Sequence, residues 1–148
     1  MAKWGKVDFS DMRKMANSFK KALDERVIDR FIEDFLLEMA YRANRKIKKR
    51  TPVGEDTESP GNLRRNWKVS KVVRKGKSFE VDNYNDTYYA IYVEYGHRTG
   101  KDLTKWVEGQ FMMTISMQEI ERELPRYLER RMIKLLDNIM NGRPHKKG

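Results

Sequence analysis

The chain contains no cysteine, which excludes a disulfide frame and a thiolate metal site. It has only two histidines, His97 and His145, and so little material for imidazole metal centres or histidine acid–base chemistry. No stretch approaches the roughly 18 consecutive apolar residues of a membrane helix, so no membrane partner is expected. The start, MAKWGKVDFS, lacks the apolar run of a signal peptide. The product is expected to stay in a cytoplasm or to join something built there. No phosphate-cradling glycine loop, internal repeat or low-complexity tract is present.

What is present is charge. Of 148 residues, 36% are charged and 39% hydrophobic, so the core is modest and oligomerisation is a natural remedy. The 32 Lys and Arg outnumber the 22 Asp and Glu, giving a formal net charge of +10. Such a surplus favours a polyanionic partner, unless the charges are merely scattered over a basic surface.

Apolar periodicity organises the chain. Met12, Met15, Phe19 and Leu23 predict a helix over 10–24, with Ser10 as its N-cap. Ile28, Phe31, Ile32, Phe35, Leu36, Met39, Ala43 and Ile47 predict a longer helix over 26–50, stopped by Thr51 and Pro52. Residues 51–62 read as a loop. Strands are expected over Leu63–Val73 and Phe79–Asn83, joined by a turn at Arg74–Lys77, with a further turn at Asn85 and Asp86. Gly96–Gly109 reads as a long connection. Residues 110–140 return to helix, kinked or divided at Pro125. One α+β domain over 1–142 follows, with a disordered basic tail at 143–148. Its parts are two N-terminal helices, a small antiparallel β-meander, a long loop and a kinked C-terminal helix packed on the sheet.

The stretch Tyr88–Thr99, YYAIYVEYGHRT, reads as the third strand of the meander. Alternation puts Tyr89, Ile91, Val93 and Tyr95 on one face and Tyr88, Ala90 and Tyr92 on the other. A small sheet normally shows water one polar face, and this strand has none. The expectation is that sister copies cover it.

Candidate chemistry is sparse. Glu94 and His97 could approach each other if the chain turned at Gly96, but no nucleophile or orienting third group accompanies them. Asp82, Asn83, Asn85 and Asp86 cluster oxygens without the pattern of a calcium loop, and a β-turn accounts for them. Met112, Met113, Met117, Met132 and Met140 read as core positions rather than an adaptable groove. No enzymatic activity and no cofactor are expected. The cluster Arg42, Arg45, Lys46, Lys48, Lys49 and Arg50 suits the negative end of a helix dipole. It could also face DNA, in an electrostatic, sequence-blind way.

Three fragments carry a resemblance. They are Thr51-Pro52-Val53-Gly54 with Gly61-Asn62-Leu63-Arg64-Arg65-Asn66-Trp67, then Tyr89–Thr99, then Trp106–Met113. In this order they resemble the minor tail-component family of long-tailed phages and prophages, over roughly residues 20–140. Here the loop between the first elements is longer, and Glu108 and Gln110 replace the usual proline and arginine.

The resemblance implies a structural protein of the virion neck, assembled in the host cytoplasm. Its copies would form a ring, commonly a hexamer, that contacts head-connector and tail-tube or tail-terminator proteins. Genomic DNA would pass through the lumen. Arg64, Glu94, Gly96, His97, Arg98 and Trp106 are the candidate interface residues. Glu94 is expected to hold Arg98 or Arg64, so that its loss would weaken ring formation more than folding. Trp67 is expected in the core, and Trp106 at the docking point of the long loop. That loop and Gly54–Pro60 are expected to order against a partner ring. The rival readings are a sequence-nonspecific nucleic-acid-binding protein and, more remotely, a small basic nuclease using Glu94, His97 and Arg98.

Overall fold

The computed structural model describes residues 10–54 and 59–142. The basic tail at 143–148 and most of the acidic loop lie outside those residues. The class is α+β, as the periodicity predicts. The chain forms two compact units, residues 1–34 with 126–148, and residues 35–125.

The first unit holds α1 (Ser10–Asp24), the start of α2 (Val27–Arg50) and the later part of α5 (Met112–Met140). Arg26 takes a positive φ of 54° between α1 and α2, and the Arg30 guanidinium donates to the Glu25 carbonyl. Ala22, Val27, Leu135 and Ile139 are buried together, with Phe19 and Phe31 packed on them.

In the second unit the rest of α2 buries Phe35, Met39, Ala40, Ala43 and Ile47. Ala43 and Ile47 join Leu63, Trp67, Met112 and Ile120 in one core, against which Tyr89, Ala90, Val93 and Met113 pack. Thr51 closes α2, and its hydroxyl accepts the Trp67 indole N–H at 2.9 Å. Its carbonyl accepts two bonds from the Arg64 guanidinium. Trp67 is thus the expected core residue, while Arg64 is spent inside the fold.

The β structure is three two-stranded antiparallel sheets rather than one three-stranded meander. Leu63–Val73 is not one strand. It begins as a helical turn, α3 (Asn62–Arg65), and continues as β1 (Trp67–Val69) and β2 (Val73–Lys75). β2 pairs with β3 (Ser78–Glu80), and β1 with β4 (Asn83–Asn85). The result is one long hairpin, bridged midway by Ser70 N–H to the Asp82 carbonyl. Its turn is Gly76–Lys77, where Gly76 supplies a φ of 60°.

Asn85 lies with Asn83 in a strand, not in the expected turn. Their amides donate to the Ala40 and Leu63 carbonyls, fastening the base of the hairpin to the helices. The turn signal at Asn85 does hold one step on, where its side chain accepts the Thr87 N–H.

Tyr88–Tyr95 is not a strand. Ala90–Tyr95 is a helix, α4, and the connection after it is a hairpin of β5 (Gly96–Thr99) and β6 (Lys105–Glu108). Apolar side chains stand on every side of the segment, so periods of 2 and of 3.6 both fit eight residues. The argument from a strand without a polar face therefore lapses.

Candidate functional site

α4 has a closed face and an open one. Tyr89, Ala90 and Val93 pack on the core, and Glu94 is buried. Tyr88, Ile91, Tyr92 and Tyr95 follow the i, i+3, i+4, i+7 spacing of one helix face. They are 84%, 59%, 52% and 59% exposed. The Tyr95 ring meets Phe111 edge-on, and Tyr92 lies against the His97 ring, 6.1 Å between centroids. Trp106 and Val107 on β6 are also exposed. Tyrosine and tryptophan on an open helix face and its neighbouring hairpin are the composition of interface hot spots.

Gly96 makes the junction possible. It ends α4 with a φ of 88° and starts β5. A Cβ there would lie 2.6 Å from the Val107 carbonyl and 2.7 Å from the Trp106 ring. Gly109 approaches the same crossing from the other side, where a Cβ would lie 2.4 Å from the Glu94 carbonyl. The connection is built on backbone contact, with Gln110 N–H donating to Val93 and Phe111 N–H to Glu94.

Glu94 holds neither Arg98 nor Arg64. Its carboxylate accepts the N–H groups of Met113 (2.9 Å) and Thr114 (2.8 Å) and the Thr114 hydroxyl (2.6 Å). These amides lie in the first turn of α5, where helix N–H groups lack internal partners and negative charge is favourable. Glu94 is therefore a helix cap reached from 19 residues away, and no spacing rule could have found it.

His97 and Arg98 alternate across β5, opposite Val107 and Trp106. His97 Nδ1 is buried and meets no hydrogen-bond partner, and Arg98 is exposed. The structure thus leaves Arg98 and Trp106 on the open surface, Gly96 beneath it and Glu94 inside. The carboxylate a nuclease reading requires is occupied by a helix end. Among the described residues, no group of three or more His, Asp or Glu is placed to hold a metal ion.

The basic cluster also divides in two. Arg42, Lys46 and Arg50, spaced by four, share a face whose charges are met. Arg42 pairs with Glu38, Lys46 with Glu119 and Glu123, and Arg50 with Glu119 and Ser116. The hydrogen bond to Glu119 holds the Lys46 ammonium above its ordinary pKa. Bonds from Lys46 and then Arg50 hold Glu119 below the usual carboxylate range. Arg45, Lys48 and Lys49 have no ionic partner among the described residues. They line up with Tyr41, which is exposed. Met112 is buried and Met113 packs on the core, but Met117, Met132 and Met140 are exposed, contrary to expectation.

A family model matches residues 13–96, more than half of the chain. It describes the HK97-gp10-like tail component of bacteriophage. The match runs from α1 through α4 and stops at Gly96. The Trp106–Met113 fragment lies beyond it. No curated protein and no solved structure matches.

Proposed function

Because the chain belongs to the HK97-gp10-like family of bacteriophage tail components, we propose that it is a structural protein of the head–tail junction. Its copies form a ring, a hexamer in the virion, between the head connector and the tail-tube or tail-terminator proteins. It acts without enzymatic activity and without a cofactor. The observation that carries this reading is the open face of α4. Tyr88, Ile91, Tyr92 and Tyr95 would be shielded from water only by another molecule. Arg98 and Trp106 extend that surface onto the β5–β6 hairpin, which keeps them as interface residues, whereas Glu94 and Arg64 support the fold behind it.

The test replaces Tyr92 and Tyr95 together by Ala. The variant should keep its circular dichroism spectrum and fail to complement a phage lacking the gene. Heads and tails should then accumulate unjoined. Normal plaque numbers from the double variant would remove α4 from the interface.

A second reading is favoured by one observation, the unpaired stripe Arg45, Lys48 and Lys49 beside Tyr41. Three cations on one helix face, without counter-charges among the described residues, suit nonspecific contact with the phosphates of DNA in transit through the lumen. Their joint replacement by Glu should abolish any salt-sensitive binding to duplex DNA and leave assembly intact. Arg42, Lys46 and Arg50, already paired, should contribute little to that binding.

A further inference from the structure

α5 runs into the one asparagine–glycine pair of the chain, Asn141-Gly142. Every other asparagine is followed by a residue that carries a side chain. A glycine in second place leaves its backbone nitrogen open to approach the asparagine carboxamide, so this is the pair at which asparagine most readily loses ammonia. Both residues are exposed. Gly142 takes a φ of 62°, and a Cβ built on it would meet nothing nearer than Ser18 Oγ at 3.5 Å.

The last turn restrains both reacting groups. Asn141 Nδ2 donates to the Asp137 carbonyl at 2.8 Å and to the Asp137 carboxylate at 3.0 Å. The Gly142 N–H donates to the Ile139 carbonyl at 3.1 Å. The carboxamide to be attacked and the nitrogen that would attack it are each tied to the turn before them. Helix ends fray, and a frayed turn frees the two together. Asp137 is thus the latch on this turn, and it takes part in a further interaction besides.

We propose that Asn141 is a self-modification site, converted to aspartate or isoaspartate at a rate set by the Asp137 latch. The Gly142 nitrogen gives its proton to hydroxide, attacks Asn141 Cγ and closes a five-membered imide. The Cγ–Nδ2 bond breaks, and Nδ2 takes up a proton and leaves as ammonia. Water then opens the imide at either carbonyl. One water is consumed, one ammonia is released and no oxidant is needed. The product cannot relatch. A carboxylate stands where Nδ2 donated and faces the Asp137 carboxylate, acceptor to acceptor, at the helix end where negative charge is unfavourable. The change is one-way, and it loosens the turn that packs Ile139 with Ala22 and Val27.

Incubation of the full chain in mildly alkaline buffer, followed by peptide mass spectrometry, tests it. The peptide holding Asn141 should gain the mass difference between an amide and an acid and separate into aspartate and isoaspartate forms. Asn138 should stay unchanged. Asp137→Ala should raise the rate about fivefold. Asp137→Asn keeps an acceptor oxygen and removes the charge, and should stay within about twofold of the native rate. Asn141→Asp, which copies the product, should speed hydrogen exchange over residues 135–139. Circular dichroism checks that each variant keeps its helices. A native chain that shows no conversion after months would overturn the proposal. So would equal rates for the native chain and Asp137→Ala. An Asp137→Asn chain as fast as Asp137→Ala would also overturn it, because charge rather than the latch would then set the rate. Unchanged exchange in Asn141→Asp would refute the loosening.

Discussion

The basic end of α2 and the aromatic turn of α4 carry opposite chemistry, yet the helical period treats them alike. In α2, six cations within nine residues separate into a face engaged by Glu38, Glu119 and Glu123 and a face with Arg45, Lys48 and Lys49, which have no ionic partner among the described residues. In α4, six largely apolar residues separate into a buried side with Val93 and Glu94 and a bare side with Tyr92 and Tyr95. In neither case does composition distinguish structural from available side chains. Position on the helix does. The most polar group of α4 is the one turned inward, because an amide-rich helix start lies there to receive it.

The sharpest break between the two sides of α4 should come from Glu94→Ala. It strips the first turn of α5 of a carboxylate acceptor and leaves buried donors unsatisfied, so unfolding should become easier by about 2–4 kcal/mol in urea titration. Tyr95→Ala, one residue away, should cost less than about 1 kcal/mol, because its ring is mostly in water already. Equal losses would erase the distinction. This reverses the expectation that Glu94 matters more to assembly than to folding.

The two faces of α2 should differ in the same direction but less. Lys46→Ala should lower stability by about 1 kcal/mol or less, since its two carboxylate partners are partly screened by solvent. Lys49→Ala should have no measurable effect on the same urea curve.

The smallest effect is with pH. Glu119 is held below its ordinary pKa of 4.5, so its contribution is complete above that value and lost as the pH falls through its depressed folded value. The melting temperature should decline from about pH 5 downward, and Glu119→Gln should blunt the part of that decline it causes. Lys46, held above 10.5, contributes with the opposite sign and loses its share only in strong alkali.

How much of this was legible depended on length. α1 and α2 were readable to within a residue because their apolar stripes run for several turns. α4 was not, since fewer than two turns cannot separate a period of 3.6 from one of 2. Gly96 did not decide the matter, since it fits a helix end as well as a strand end. β5 and β6 span four residues each and hold almost no buried side chain, so burial left no alternation to read. β4, Asn-Tyr-Asn, has turn composition but gains its place from side-chain bonds to Ala40 and Leu63, both distant in sequence. Of the candidate interface, Arg98 was read at a strand end and lies exposed in β5, whereas Trp106, expected where a long loop docks, lies exposed in β6. The tyrosine face was present in the letters but assigned to the wrong geometry.

Thr51 shows how little material sets the direction of a whole element. The last turn of α2, the Arg64 guanidinium and the Trp67 indole all meet at this one residue. The heading of the 67–85 hairpin is therefore tied to the azimuth of this threonine, with Asn83 and Asn85 holding its other strand. Inserting one residue into α2 before Thr51 would rotate that azimuth by about 100°, and the hairpin would have to swing with it or let go.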